Sequence, residues 1–206
     1  FKHFLNSSDY QAQVANLRSR GIPVTTEELQ EWQETVLPEE PAPETSHFPD
    51  ADTRATDLYQ QAFEERSRYE KGWFWPEFDG ILKNFSQNGM LSPEELEQLR
   101  AYVEENKAVL ALLHQARHQP PGTYYLDYSK GTAMELPHLA HTRHAWRLLR
   151  AEALLATLEG DTDQVHEALM AGLAVMRPLR REAVFVSQLV RSHCIEEMLE
   201  SMQDAL

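Results

Sequence analysis

Three histidines, His138, His141 and His144, stand three residues apart in the stretch PHLAHTRHAW over 137–146. Histidines at helical spacing can hold a metal through neutral ring nitrogens or move a proton near neutral pH. An α-helix advances about 100° per residue, so three-residue steps spread the three rings over about 120°. Neighbouring pairs could share one ion, but all three do not easily converge from a straight helix. The zinc-helix pattern H-E-x-x-H is absent, and no carboxylate stands four residues beyond His141 or His144. Pro137 and His138 open the helix, where the positive end of its dipole opposes a cation. The spacing therefore predicts structural histidines. The rival is a metal-dependent or hydrolytic site using His141 and His144 with distant carboxylates.

Two aromatic clusters offer a different chemistry. GWFWPEF carries Trp73, Trp75 and Phe78, and TYYLDYSKG carries Tyr124, Tyr125 and Tyr128. Exposed rings of this kind grip a protein partner or stack on sugars; buried ones plug helix junctions. These six residues are the candidate binding set, for a protein or peptide first and a carbohydrate second. Carboxylate pairs such as Glu64–Glu65, Glu94–Glu95, Glu104–Glu105 and Glu196–Glu197 read as solvated helix faces. Nothing in their spacing nominates the opposed pair that a glycosidase needs. The chain has no G-x-S-x-G elbow, P-loop, dinucleotide fingerprint or Asp-rich calcium loop. No catalytic residue, metal or cofactor is assigned.

Helices must position these groups. Ser7, Ser8 or Asp9 caps a first helix that Gly21 ends, and Thr25 with Glu28 makes a capping box for a second. Prolines 38, 41, 43 and 49 then predict an extended arm, because proline removes a donor and disfavours helix before it. Leu58, Tyr59, Ala62, Phe63 and Tyr69 carry helical periodicity from about Asp52. Ser92, Pro93 and Glu95 open a helix that runs to about His118. Pro137 opens another that reaches Glu159. Gly160-Asp161 turns the chain into a helix from Thr162 to about Arg177, and after Pro178 a third runs from about Leu179 to Met202. Leu139, Trp146, Leu149, Ala153 and Ala156 form one stripe of the 137–159 helix, and Leu148, Leu154, Leu155 and Leu158 cover most of the rest. A helix apolar on most sides is central to its domain. Arg143, Arg147 and Arg150 are expected on its narrow wet face.

The formal net charge is −14, which repels phosphate backbones, so nucleic acid is not an expected partner. Cys194 is the single cysteine, so the chain closes no internal disulfide, and it reads as a buried small hydrophobe. The chain opens on Phe1 rather than Met, so an upstream segment is expected.

Two resemblances add to this reading. GDTDQVHEALMAGLAVMRP resembles the second helix of a tetratricopeptide-type repeat. Gly160 and Asp161 take the turn, Val165, Leu169, Gly172, Leu173 and Val175 the packed positions, and Pro178 the close. Val165 stands where alanine is usual, the proline falls about one residue late, and no second copy occurs. NLRSRGIPVTTEEL, LDYSKG, HAWRLLRAEALLATLEGD and FVSQLVRSHCIEEML, in that order, look like an uncharacterised family of bacterial helical proteins, often exported or anchored by an N-terminal segment. That resemblance implies an all-helical, extracytoplasmic protein and carries no active-site residue.

The expected object is one all-α domain over 1–206, with helices and a proline-rich arm over 1–50 and the main body over 51–206. It has seven or eight helices stacked as antiparallel, tetratricopeptide-like hairpins. The expected role is non-enzymatic binding of a protein or peptide in the bacterial cell envelope, through a groove near the tyrosine loop and the Trp73–Phe78 segment.

Overall fold

The computed structural model describes residues 8–35, 54–67 and 78–204; the proline-rich arm, Trp73 and Trp75 lie outside them. The described residues form nine α-helices and two 3-10 segments, with no strand among them, so the chain is all-α. It divides into two compact units, one of Phe1–Glu39 with Tyr125–Leu136 and one of Glu40–Tyr124 with Pro137–Leu206.

The first unit holds α1 (Ser8–Ser19), α2 (Thr26–Thr35) and a 3-10 segment (Tyr128–Ala133) that packs on α2. The capping box forms as expected: Glu28 N donates to Thr25 Oγ1 at 3.2 Å, and Glu28 Oε2 accepts from Thr25 N at 3.3 Å. Glu28 also accepts from Val24 N and from Arg18 Nε, which holds its carboxyl below the usual range.

The second unit holds α3 (Ala55–Ser67), α4 (Phe78–Asn88), α5 (Pro93–Glu105), α6 (Lys107–Arg117), α7 (Pro137–Glu159), α8 (Thr162–Val175), a 3-10 segment (Pro178–Arg181) and α9 (Phe185–Asp204). Helix α7 is the axis of this unit and touches α5, α6, α8 and α9. Trp146, Leu148 and Leu149 lose all their exposure there. Burial on that scale stabilises by about 1.5–3 kcal/mol per side chain. The α7–α8 hairpin turns at Gly160 (φ +74°), and the Asp161 carboxylate accepts from Gln164 N to cap α8. Gly172 lets the hairpin close. A Cβ there would fall 2.1 Å from Trp146 Cζ3, so only glycine admits the indole between the helices.

Three elements differ from the sequence expectation. The helix expected from Ser92 to His118 is two, because Asn106 is fully buried and its Nδ2 donates to the Tyr102 carbonyl, replacing a helical bond. FDGILKNFSQN, where no helix was expected, is α4; Phe78, Ile81 and Phe85 pack against Leu99, Ala151 and Leu154. The last helix starts at Phe185, not near Leu179. Pro178–Arg181 forms a separate turn, and Gln188 Nε2 donates to the carbonyls of Leu179 and Glu182, fixing the link between them.

Candidate functional site

The first turns of α7 hold a buried polar group. His138 Nε2 lies 3.1 Å from both oxygens of Glu182, with hydrogen-bond geometry to Oε2. Both residues are buried. The Tyr124 ring stacks on the His138 ring at 4.5 Å. Thr142, one turn along α7, is fully buried and interacts with the Tyr124 phenol. Burial pushes the Tyr124 phenol up. It pushes the fully buried Tyr59 phenol up as well, with Tyr124 adding to the effect, and the Tyr59 hydroxyl finds no hydrogen-bond partner among the described residues. His141 stacks on Phe63 at 4.8 Å, and burial, then the nearby His138, holds its pKa below the ordinary value. His144 is half-buried on the same helix.

Two further knots hold the middle of α7. The Glu152 carboxylate meets His114 Nε2 at 2.8 Å through Oε2 and accepts from Gln164 Nε2 at 2.8 Å through Oε1, joining α6, α7 and α8. Glu197 on α9 accepts from Arg150 at 2.7 Å and from Trp146 Nε1 at 3.1 Å, and Arg150 Nε donates to Ser201. Arg150 is therefore interior, not on the expected wet face, because α9 brings a carboxylate to it. Arg147 pairs with Asp79 at 2.6 Å. Cys194 is fully buried on α9, its thiol pushed up to about 12 by burial and then by Glu197. These groups bridge helices through satisfied charge-assisted bonds. Among the described residues no three His, Cys, Asp or Glu side chains are arranged to hold a metal, and no helix is long and apolar enough to cross a membrane.

The described members of the aromatic set differ in exposure. Phe78 is 2% exposed inside the α4 core. Tyr124 is half-buried against His138, Tyr128 is buried, and Tyr125 is 76% exposed. Of the six, Tyr125 alone is shown presenting its ring to solvent, while Trp73 and Trp75 lie outside the described residues.

Sequence reasoning missed a surface on α9. Phe185 (75% exposed), Leu189 (51%) and Leu199 (54%) stand on its outer side, and Val186 and Met202 flank them. Ser187, Cys194 and Met198 on the opposite side pack inward. The outer side thus carries apolar residues toward both ends of the helix, with exposed Ser192 and Glu196 between them. The signal was present in FVSQLVRSHCIEEMLESM, where apolar residues fall at more positions than one buried stripe needs.

Comparison with known proteins finds no matching family model, curated relative or solved structure.

Proposed function

We propose that this chain is a non-enzymatic docking domain that receives an apolar helix of another protein chain on the outer side of α9. The observation that carries this reading is the row Phe185, Leu189 and Leu199, held outward while the other face of the same helix is committed to the core. Large exposed apolar side chains aligned on one helix mark an interaction surface, and apolar helix faces pair with one another. Helix α7 supplies the rigid support through Arg150, Trp146 and Glu197. The tetratricopeptide-like character rests on the residue pattern Gly160–Pro178. The envelope setting rests on the bacterial resemblance, and fractionation of the tagged chain in its host tests it.

The function is tested with a photoreactive amino acid at Leu189 in the full chain, in its host. A discrete cross-linked protein adduct is expected at Leu189 and none at the exposed control Glu97 on α5. Equal labelling at both positions, or no adduct at Leu189, would overturn the reading.

A further inference from the structure

We infer that Asn88, at the end of α4, is a site of covalent self-modification: it loses its side-chain amide through a cyclic imide closed by the Gly89 nitrogen and opened by water. Of the five asparagines in the chain, Asn88 alone is followed by glycine. Ring closure brings the next residue's backbone nitrogen onto the asparagine side-chain carbon, and glycine has no side chain to obstruct that approach. Asn88, Gly89 and Met90 are all exposed, so water has access to the imide.

The reaction needs only the chain and water. The Gly89 nitrogen loses its proton and bonds to Asn88 Cγ. The Cγ–Nδ2 bond breaks, and ammonia leaves with that proton. Water then opens the ring at either carbonyl. The product at position 88 is an aspartate, or its isomer in which the main chain runs through the former side-chain carbon. Each carries a new negative charge.

The fold sets the rate. Gly89 (φ +67°) closes α4, and its N–H donates to the Phe85 carbonyl at 2.7 Å. Asn88 Nδ2 donates to Asn84 Oδ1. The attacking nitrogen and the leaving amide are both held in hydrogen bonds, so the ring closes only while the last turn of α4 is open. Terminal turns are the ones that open at least cost.

The same bonds decide what modification does. Asn84 Nδ2 donates to both Glu95 oxygens, at 2.9 and 3.0 Å, and Glu95 Oε2 accepts from Ser92 N at 2.8 Å in the cap of α5. A carboxylate only accepts, which fixes the orientation of both amides. Asn88, Asn84 and Glu95 thus form one relay from the end of α4 to the start of α5. A carboxylate at position 88 has no N–H to give Asn84 and adds charge at the negative end of the α4 dipole. Modification therefore loosens the link between α4 and α5.

The full chain is incubated in mildly alkaline buffer, folded and in urea, and mapped by peptide mass spectrometry. Conversion is expected at Asn88 ahead of every other asparagine, and about 5–30-fold slower in the folded chain, the factor set by a marginal opening equilibrium. Asn88→Asp should quicken hydrogen exchange of the Ser92 and Glu95 amides by about two- to tenfold, the worth of one hydrogen bond. Asn88→Gln keeps the amide donor but does not close the same small ring, so it should stay unmodified and leave that exchange unchanged. Circular dichroism checks that both variants are folded. No conversion at Asn88, conversion spread evenly over the asparagines, equal rates with and without urea, or an Asn88→Asp chain that exchanges like the unsubstituted protein would overturn the inference.

Discussion

Helices α7 and α9 lie side by side, and both carry apolar residues around more than one face. Helix α7 has neighbours on several sides, so its apolar circumference is spent on the core, and its polar groups meet partners from other helices. Helix α9 is covered along one side, where Glu197 and Ser201 reach Arg150, and its other side keeps Phe185, Leu189 and Leu199 in water. The difference shows that apolar content reports how much of a helix could be buried. Coverage by neighbours decides how much is, and the remainder is available to a partner.

The largest effect should come from the shared wall of the two helices. Trp146→Ala removes a fully buried indole and its bond to Glu197, and a loss of about 3–5 kcal/mol in urea denaturation is expected. Leu189→Ala, on the open side, should change monomer stability by no more than about 0.5 kcal/mol. Equal costs at the two positions would erase the contrast.

A smaller effect tests the hairpin that wraps α7. Gly172→Ala places a methyl against the Trp146 ring and should cost about 1–3 kcal/mol, although alanine is the better helix former. A stabilised variant would mean that the indole is not wedged there.

Tyr59→Phe removes a buried hydroxyl without a hydrogen-bond partner among the described residues. It should leave stability unchanged or raise it by up to about 1 kcal/mol in the same assay. A clear loss would show that the hydroxyl has a hydrogen-bond partner in the folded chain.

The smallest effect concerns acid. His141 is held below its ordinary value of 6.5 by burial and then by His138. As pH falls through about 6.5 the unfolded chain takes up a proton that folded His141 does not, so stability declines toward the folded pKa. His141→Asn should reduce this acid-side decline in denaturation curves taken from pH 7.5 to 5. His118, shifted the same way by burial, keeps part of it.

Much of the fold was legible because its signals are local. The capping boxes at Thr25 and Ser92, the turn at Gly160 and the reach of α7 from Pro137 to Glu159 each follow from neighbouring residues or a 3.6-residue period. Asn106 splits a helix by a side chain capturing a backbone carbonyl, which helix periodicity does not encode. The candidate site was legible only in part. The three histidines read as structural, and His138 does lie in a packed interior group. Its partner Glu182 is 44 residues away and Glu152 is 38 from His114, and no spacing rule connects them.

The sequence by itself determined that the chain is helical, that α7 is central and that Cys194 is buried, because periodicity and composition act within one element. Only the tertiary structure decided which carboxylate meets which histidine, that Arg150 turns inward, and that the outer face of α9 stays open. Each of those depends on a surface supplied by a distant part of the chain, and burial is a property of two surfaces rather than one.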